Sequence, residues 1–258
     1  MSHAYGKIKV AREAGIETIA LFNPARRNAI GPQMTSELLY ALEDARTAED
    51  VRVVVITGEG QAFCAGGDFQ QMGDAAADAL PIKGDYADLL LALAHFEKPV
   101  IAKVNGHAMG GGLGIVAACT LAIASSDAQL GTPEINVGLF PMMIMAVLAR
   151  IVPRRRLLKM MLLGEKLTAA QAAEIGLCEV VAPAELDAAV KTLAEGLGSK
   201  SPSTIRLGLR AFAAQDDLDL AAALPLLRER LAECLSTDDA REGLMAFLEK
   251  RSPRWSGR

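Results

Sequence analysis

The sequence has few cysteines and none of the spacings that join them into a metal centre or a disulfide framework. Its four cysteines, at positions 64, 119, 178 and 234, are widely scattered, with no CxxC or Cys/His pattern. Such patterns are the usual sequence sign of zinc sites and of small disulfide-bonded domains. We therefore expect no metal site and no disulfides, and free thiols fit a reducing cytoplasm.

The sequence also lacks a strong excess of either charge and a long apolar run. Lys and Arg number 27 against 31 Asp and Glu, which gives a net charge of -4, and no basic block stands out. A nucleic-acid partner is therefore not expected. The longest apolar run, 137–149, is too short to span a bilayer, and "MSHAYGKIKV" has no apolar stretch of signal-peptide length. We expect a soluble, cytoplasmic protein without membrane contacts.

What is present indicates an α/β fold. With 51% hydrophobic residues in 258, the chain can bury one large core. Short β-branched runs alternate with amphipathic segments, which is typical of α/β domains. The predicted strands are "IKVAR", "TIALF", "VRVVVITG", "PVIAKVNG" and "TLAIASS", with helices over 34–46, "ADLLLALAHF" and "RRRLLKMMLLG". Thr168 and Gln171 have the spacing of a capping box. We predict a core with the active site over 1–200 and a helical region over 201–258.

Two glycine-rich stretches each follow an apolar strand. They are "AFCAGGDF" at 62–69 and "NGHAMGGGLGIV" at 105–116. Glycines let a ligand approach the backbone closely, and a helix that begins there offers unpaired N–H groups to an anion. Together the two loops would form an oxyanion hole for an ester or thioester oxygen. The simpler interpretation is that both are tight turns between a strand and a helix.

A dinucleotide fingerprint is the rival interpretation of the second stretch. Gly112, Gly114 and Ala117 match G-x-G-x-x-[G/A], and Asp127 or Glu134 would serve as the ribose acid. However, five residues separate the end of the strand from the glycines, and no clean βαβ unit carries an acid at the usual offset. The match is therefore weak.

Four motifs together resemble the crotonase, or enoyl-CoA hydratase/isomerase, superfamily. They are "NPARRNAI", "AFCAGGDFQQM", "KPVIAKVNGHAMGGGLGI" and "GTPEINVGLFP", and their order and spacing match as well. The likeness continues through "LLGEKLTAAQAAEIGLCEVV" and "REGLMAFLEKRSPRW", so it covers nearly the whole chain. It implies a spiral of ββα repeats followed by C-terminal helices that build homotrimers or homohexamers. The implied substrates are acyl-CoA thioesters, with coenzyme A as part of the substrate and no separate cofactor.

The resemblance also implies roles for individual residues. By position, Gly67 and Gly111 would donate the oxyanion N–H groups, and Glu134 would be the catalytic acid/base. Arg26 and Arg27 would lie near the phosphates or adenine of CoA. Other residues placed at the substrate are Ala65, Gly66, Asp68, Phe69, Gln70, Gly110 and Gly114, with Phe247 and Lys250 completing a neighbouring subunit's site.

One acid of the family's hydratases is missing. In those enzymes a glutamate follows the glycine triplet by two positions, where this chain has Gly114, and a second lies in the "PE" that Glu134 retains. Hydration needs groups that hold a water and move its proton. The "MMIMAV" stretch adds apolar surface, for which we place Met142 at the pocket and Ile144 and Met145 in the helix core. Asp74, Asp78 or Asp85 remain candidates to replace the missing acid.

A single carboxylate beside an oxyanion hole is enough to move a proton along an enoyl thioester. We therefore predict a Δ3–Δ2 enoyl-CoA isomerase, in which burial raises the pKa of Glu134 toward the working pH. The alternatives are an enoyl-CoA hydratase with a relocated second acid, an NAD(P)-dependent oxidoreductase and a CoA-binding protein without activity.

Overall fold

The computed structural model describes residues 3–68 and 80–258, which form ten β-strands and ten α-helices. The strands are β1 (Ile8–Glu13), β2 (Ile16–Leu21), β3 (Val53–Gly58), β4 (Ala62–Cys64), β5 (Val100–Val104), β6 (His107–Met109), β7 (Leu121–Ser125), β8 (Gln129–Gly131), β9 (Lys166–Thr168) and β10 (Glu179–Val181). The helices are α1 (Pro32–Thr47), α2 (Tyr86–Ala94), α3 (Gly111–Ala118), α4 (Met142–Leu148), α5 (Arg154–Leu163), α6 (Ala169–Glu174), α7 (Leu186–Gly198), α8 (Pro202–Gln215), α9 (Leu220–Leu235) and α10 (Asp238–Leu248). Short 3-10 helices cover Pro24–Arg26, Pro133–Val137 and Pro183–Glu185.

The strands divide between two sheets in a pattern that follows chain order. A six-stranded sheet has the order β1-β2-β3-β5-β7-β10, in which β1 and β2 are antiparallel and the other neighbours are parallel. A four-stranded sheet has the order β4-β6-β8-β9, with β4, β6 and β8 parallel. The pairs β3/β4, β5/β6 and β7/β8 each place one strand in each sheet before a helix follows. The chain winds as a spiral of ββα units, which confirms the predicted fold.

The central strand of the larger sheet is buried on both faces. All six residues of β3 are buried, and its side chains alternate between two clusters. Val54 and Ile56 join the large core that also contains α1 and α3, whereas Val53 and Val55 pack against α7. Each fully buried valine or isoleucine contributes about 1.5–3 kcal/mol relative to exposure. The uninterrupted apolar run in the sequence therefore reflects two cores, one on each side of the sheet.

Local signals in the sequence set several element boundaries. Helix α1 begins at Pro32, two residues before the predicted start, because proline suits the first helical turn. The predicted capping box is confirmed: the Gln171 N–H donates to Thr168 Oγ1 (3.2 Å), and the Thr168 N–H donates to Gln171 Oε1 (3.0 Å). Both bonds satisfy donors that the start of α6 would otherwise leave unpaired.

The last three helices expose an unusual amount of apolar surface. Helix α10 packs against α8 and α9. Large side chains along these helices are nevertheless accessible in the single chain, including Leu220 (74% exposed), Phe247 (81%) and Leu248 (73%). Exposed apolar patches of this kind commonly mark protein interfaces. None of the helices in the described part of the chain is both long and apolar enough to cross a membrane.

A buried carboxylate helps to hold the C-terminal tail. Asp239, at the start of α10, is 1% exposed. Its oxygens accept hydrogen bonds from the hydroxyls of Ser201 (2.7 Å) and Ser203 (2.8 Å) and from the N–H groups of Ser256 (2.7 Å) and Gly257 (3.0 Å). Burial alone would raise the pKa of Asp239, but these donors outweigh it and lower the pKa to about 2. The carboxylate thereby links the tail to the start of α8.

We expect Asp239→Asn to destabilise the protein in a pH-dependent way. A folded-state pKa of about 2, below the usual 3.8, means that ionised Asp239 stabilises the folded state above about pH 4, and that this contribution disappears as pH falls toward 2. The variant should lose about 2 kcal/mol of unfolding free energy at pH 7. Urea unfolding at a series of pH values measures this, with Asp127→Asn, on an exposed turn, as control. Equal losses at pH 7 and pH 2 would contradict the prediction.

Candidate active site

The two glycine loops meet because their strands are neighbours. Strands β4 and β6 are parallel partners, so the segments after their carboxyl ends lie at the same edge of the smaller sheet. The contact is close: a Cβ on Gly112 would lie 2.6 Å from Cys64 Cβ, and the Gly66 Cα would lie 3.7 Å from a Cβ on Gly110. A side chain on Gly112 would therefore push the start of α3 away from β4.

The hydrogen bonds around the first loop determine where the Gly67 N–H points. The Ile30 N–H donates to the Gly66 carbonyl, and the Asp68 N–H donates to the Ile30 carbonyl, both at 2.8 Å. In an extended segment, successive N–H groups face opposite sides. The Gly67 N–H therefore points away from Ile30, and it has no acceptor among the described residues.

The second loop places a helix N-terminus at the same edge. Gly110 has φ 49° and ψ -120°, a conformation that essentially only glycine adopts, and its N–H donates to the Gly131 carbonyl (2.9 Å). Helix α3 begins at the next residue. The first N–H groups of a helix have no partner within it and carry a partial positive charge. The Gly111 N–H likewise has no acceptor within the described chain.

Glu134 lies directly against this glycine turn. It is in the 3-10 helix that follows β8, and its Oε1 would lie 2.7 Å from a Cβ on Gly110. Its Oε2 is buried and has no hydrogen-bond partner among the described residues. Burial raises the pKa of Glu134, in the direction that the sequence predicts. The side chain of Glu134 is half-buried, and a carboxyl oxygen without a partner among the described residues is available to accept a proton from a bound substrate.

Tyr86 is a residue of this site that the sequence did not reveal. It is the first residue of α2, and its hydroxyl donates to the Gly111 carbonyl (2.5 Å). A Cβ on Gly114 would overlap both the Tyr86 hydroxyl and Ile144 Cγ2. The position of the missing acid is therefore occupied by a phenol and a methyl group. The only local signal is the Asp85 cap that starts the helix, and it does not indicate which neighbour the tyrosine contacts.

The other predicted residues of the first loop lie close to the glycines. Asp68 is buried, and its N–H donates to the Ile30 carbonyl. The Ala65 N–H donates to the Arg27 carbonyl (3.0 Å), which brings the exposed Arg26 and Arg27 next to this loop. Phe69 and Gln70 lie outside the described residues.

The predicted residues of the later helices are more dispersed. Ile144 is buried, as predicted, and Met145 packs partly against the core. Met142 is 65% exposed on the surface of the single chain. Phe247 and Lys250 are exposed at the end of α10, among the C-terminal helices.

Several other polar groups have structural roles. Asp85 caps α2 by accepting from the N–H groups of Ala87 and Asp88, so it is not available as the second acid, whereas Asp74 and Asp78 lie outside the described residues. His107 Nδ1 accepts from the Gln129 N–H (3.0 Å).

The cysteines near the loops are poorly suited to act as nucleophiles. Burial raises the pKa of the Cys64 thiol to about 11, and it also raises the pKa of Cys119. Within residues 3–68 and 80–258, no group of three His, Cys, Asp or Glu side chains is arranged to hold a metal ion.

Comparison with known proteins identifies relatives along nearly the whole chain. The family model for enoyl-CoA hydratase/isomerase matches residues 11–258. The chain is 34% identical to the mouse "Enoyl-CoA hydratase domain-containing protein 3, mitochondrial", covering 95% of this chain and 83% of the mouse protein. It is also 34% identical to 2,3-dehydroadipyl-CoA hydratase of Escherichia coli, covering 96% and 98% of the two chains. The crystal structure of a Mycobacterium smegmatis enoyl-CoA hydratase superposes with a TM-score of 0.90 at 32% identity, over 97% of this chain and 99% of the other.

These names bear on the alternatives. They agree with the hydratase alternative better than with the predicted isomerase, and they give no support to an oxidoreductase. The structure also disfavours a dinucleotide site, since Gly112 and Gly114 are both buried against side chains and neither faces an open surface. The chain belongs to the enoyl-CoA hydratase/isomerase, or crotonase, family of enzymes that act on acyl-CoA thioesters.

Proposed function

We propose that this chain binds an enoyl-CoA thioester and moves a proton on it with Glu134 as the acid/base. The N–H groups of Gly67 and Gly111 would hold the thioester oxygen and stabilise the negative charge that develops on it. The proposal rests mainly on the buried Glu134 Oε2. This oxygen has no hydrogen-bond partner among the described residues, and the side chain lies beside the turn that presents the Gly111 N–H.

The single carboxylate best supports a Δ3–Δ2 isomerisation. Glu134 removes a proton from C2 of a 3-enoyl thioester, and the electrons of the C–H bond spread into a dienolate whose oxygen faces the two N–H groups. The protonated Glu134 then returns the proton to C4, which leaves the double bond between C2 and C3. No water and no second acid are needed, and the place of the second acid is filled by Tyr86 and Ile144.

Hydration is the second candidate, and the names of the relatives favour it. For this reaction a water must be held near C3 of a 2-enoyl thioester by two to four polar partners. Glu134 supplies one of them. Another would have to come from the Tyr86 hydroxyl or from a carboxylate in residues 69–79, such as Asp74 or Asp78.

Purified protein offered 3-enoyl-CoA and 2-enoyl-CoA in separate reactions distinguishes the two candidates. The isomerase proposal predicts turnover of the first substrate with little hydration of the second. Efficient hydration of 2-enoyl-CoA would overturn it in favour of the hydratase. Binding of CoA thioesters without turnover of either would indicate a CoA-binding protein, and a titration with NAD(P) tests the oxidoreductase alternative.

The raised pKa of Glu134 predicts that activity is lost on the acid side at a higher pH than an ordinary glutamate would give. A base must be ionised to accept the proton, so activity is lost as pH falls through the pKa of Glu134 in the free enzyme. Because burial raises that pKa above 4.5, the acid limb of kcat/KM should lie above pH 4.5. A pH profile of kcat/KM measures this. An acid limb at or below pH 4.5 would contradict Glu134 as the base.

Contacts to CoA and a multimeric assembly complete the proposal. Arg26 and Arg27 are exposed beside the first glycine loop, where they would pair with CoA phosphates. The exposed apolar residues of α8–α10 support a homotrimer or homohexamer, in which Phe247 and Lys250 of one subunit would reach the CoA bound by another. Light scattering of the purified protein tests the assembly.

A further inference from the structure

The space beside Gly114 is fully occupied. Gly114 is buried in the first turn of α3, and a Cβ there would overlap the Tyr86 hydroxyl and Ile144 Cγ2, with Ile144 Cβ at 3.1 Å. Ile144 is 3% exposed and belongs to α4, which packs on α3. Two separate helices, α2 and α4, thus deliver side chains to one spot on a third.

Tyr86 is held at this spot by its own hydrogen bond. Its hydroxyl donates to the Gly111 carbonyl, and the Tyr86 ring carbon that bears the hydroxyl would lie 3.5 Å from a Cβ on Gly111. Burial raises the pKa of Tyr86 well above its usual value, and the thiol of Cys64 and the carboxylate of Glu134 raise it further. The phenol therefore stays protonated and keeps donating. Tyr86 is partly buried, and its hydrogen bond fixes the phenol at Gly111, the residue that begins α3.

We infer that Tyr86, backed by Ile144, is a specificity-determining residue that keeps a second carboxylate and its water away from the reacting carbons. This inference rests on the proposed function, because it concerns which reaction Glu134 and the two N–H groups carry out. With the spot filled, Glu134 is the one carboxylate among the nearest neighbours of the glycine turn in the described part of the chain. The site then favours return of the same proton over addition of water.

Melting temperatures test whether Tyr86 and Ile144 fill the space beside Gly114, without any enzymatic assay. Gly114→Ala is introduced into the wild-type chain and into the double variant Tyr86→Phe/Ile144→Ala. This double variant, called the opened variant below, lacks the two atoms that overlap the new Cβ. The melting temperature should fall by several degrees in the wild type, as overpacking of about 1–3 kcal/mol implies, and by much less in the opened variant. Tyr5→Phe, which removes a hydroxyl bonded to Asp44 instead, is the control for loss of a phenol oxygen. Equal falls in both backgrounds would overturn the inference.

The specificity is tested with Gly114→Glu in the same two backgrounds. The atoms removed by Tyr86→Phe and Ile144→Ala nearly match those that the glutamate adds, so the core volume is conserved. We expect the rate of 2-enoyl-CoA hydration to rise at least about tenfold when Gly114→Glu is added to the opened variant. This is less than the roughly 10²- to 10⁴-fold that a positioned acid or base contributes to a reaction rate. Gly114→Glu alone should give no gain. A gain from Gly114→Glu alone would overturn the inference.

A third readout separates failure of the inference from failure of the proposed function. Exchange of the C2 protons of butyryl-CoA in D2O reports proton abstraction by Glu134 without hydration or isomerisation. If the opened Gly114→Glu variant exchanges these protons but gains no hydration, the specificity inference is wrong and the proposed function stands. If the wild-type enzyme shows no exchange, the proposed function itself is wrong, and the inference falls with it.

Discussion

Glu134→Gln should turn over its enoyl-CoA substrate about 10²- to 10⁴-fold more slowly than the wild type, the range that a positioned acid/base contributes. The amide cannot accept the C2 proton, yet it has the same shape and keeps the contact with Gly110. Since Oε2 makes no hydrogen bond to the described residues, replacing this oxygen with an amide nitrogen removes no hydrogen bond to them. The loss should therefore appear in kcat, with the KM for the CoA thioester changed little.

Glu185→Gln is the matched control for this experiment. Glu185 also lies in a short 3-10 helix that begins with proline, but it is exposed. Its substitution should leave both kcat and KM at wild-type values. If Glu134→Gln retained more than a tenth of the wild-type kcat, the assignment of Glu134 as the sole acid/base would be wrong.

Gly110→Ala should both destabilise the fold and remove most of the activity. Its backbone, at φ 49° and ψ -120°, is strained for any residue with a Cβ, at a cost of about 1–3 kcal/mol. The new Cβ would also lie 2.7 Å from Glu134 Oε1, so the carboxylate must move. A displacement near 1 Å of a catalytic group can lower kcat about 100-fold.

Gly176→Ala separates the two parts of this effect. Gly176 also has a positive φ of 81°, but a Cβ there would meet nothing within 4 Å. This control should lower the urea midpoint through strain and leave kcat unchanged. The measurement is urea unfolding and kcat for both variants. If Gly110→Ala kept wild-type kcat, the close contact between the glycine turn and Glu134 would have no catalytic role.

Much of the fold follows from local sequence. The run "VRVVVITG" predicts a strand buried on both faces, and β3 is that strand; the Thr168 and Gln171 spacing predicts a cap that forms with both bonds. The smaller sheet is different. Its strands β4, β6 and β8 have three residues each, which is too short for alternation to be recognised. Their pairing depends on the spiral, which only the family resemblance indicated.

The residues of the candidate site likewise differ in how far the sequence predicts them. Gly67, Gly111 and Glu134 lie in motifs whose spacing could be compared with a family, whereas Tyr86 and Ile144 come from helices that meet α3 only in the folded chain. No local pattern states which side chain fills the space at Gly114, because that depends on how α2 and α4 pack on α3. In the mechanism that we propose, the choice between isomerisation and hydration depends on this contact, which the missing glutamate alone does not reveal.

A crystal structure of the protein with a bound acyl-CoA thioester is the most direct test of the site. The thioester oxygen should lie about 2.7–3.1 Å from both the Gly67 and the Gly111 nitrogen, the spacing of an oxyanion hole. A carboxyl oxygen of Glu134 should lie within about 3.5 Å of C2. A thioester oxygen bonded elsewhere, or a Glu134 carboxylate turned away from C2, would contradict the proposed chemistry.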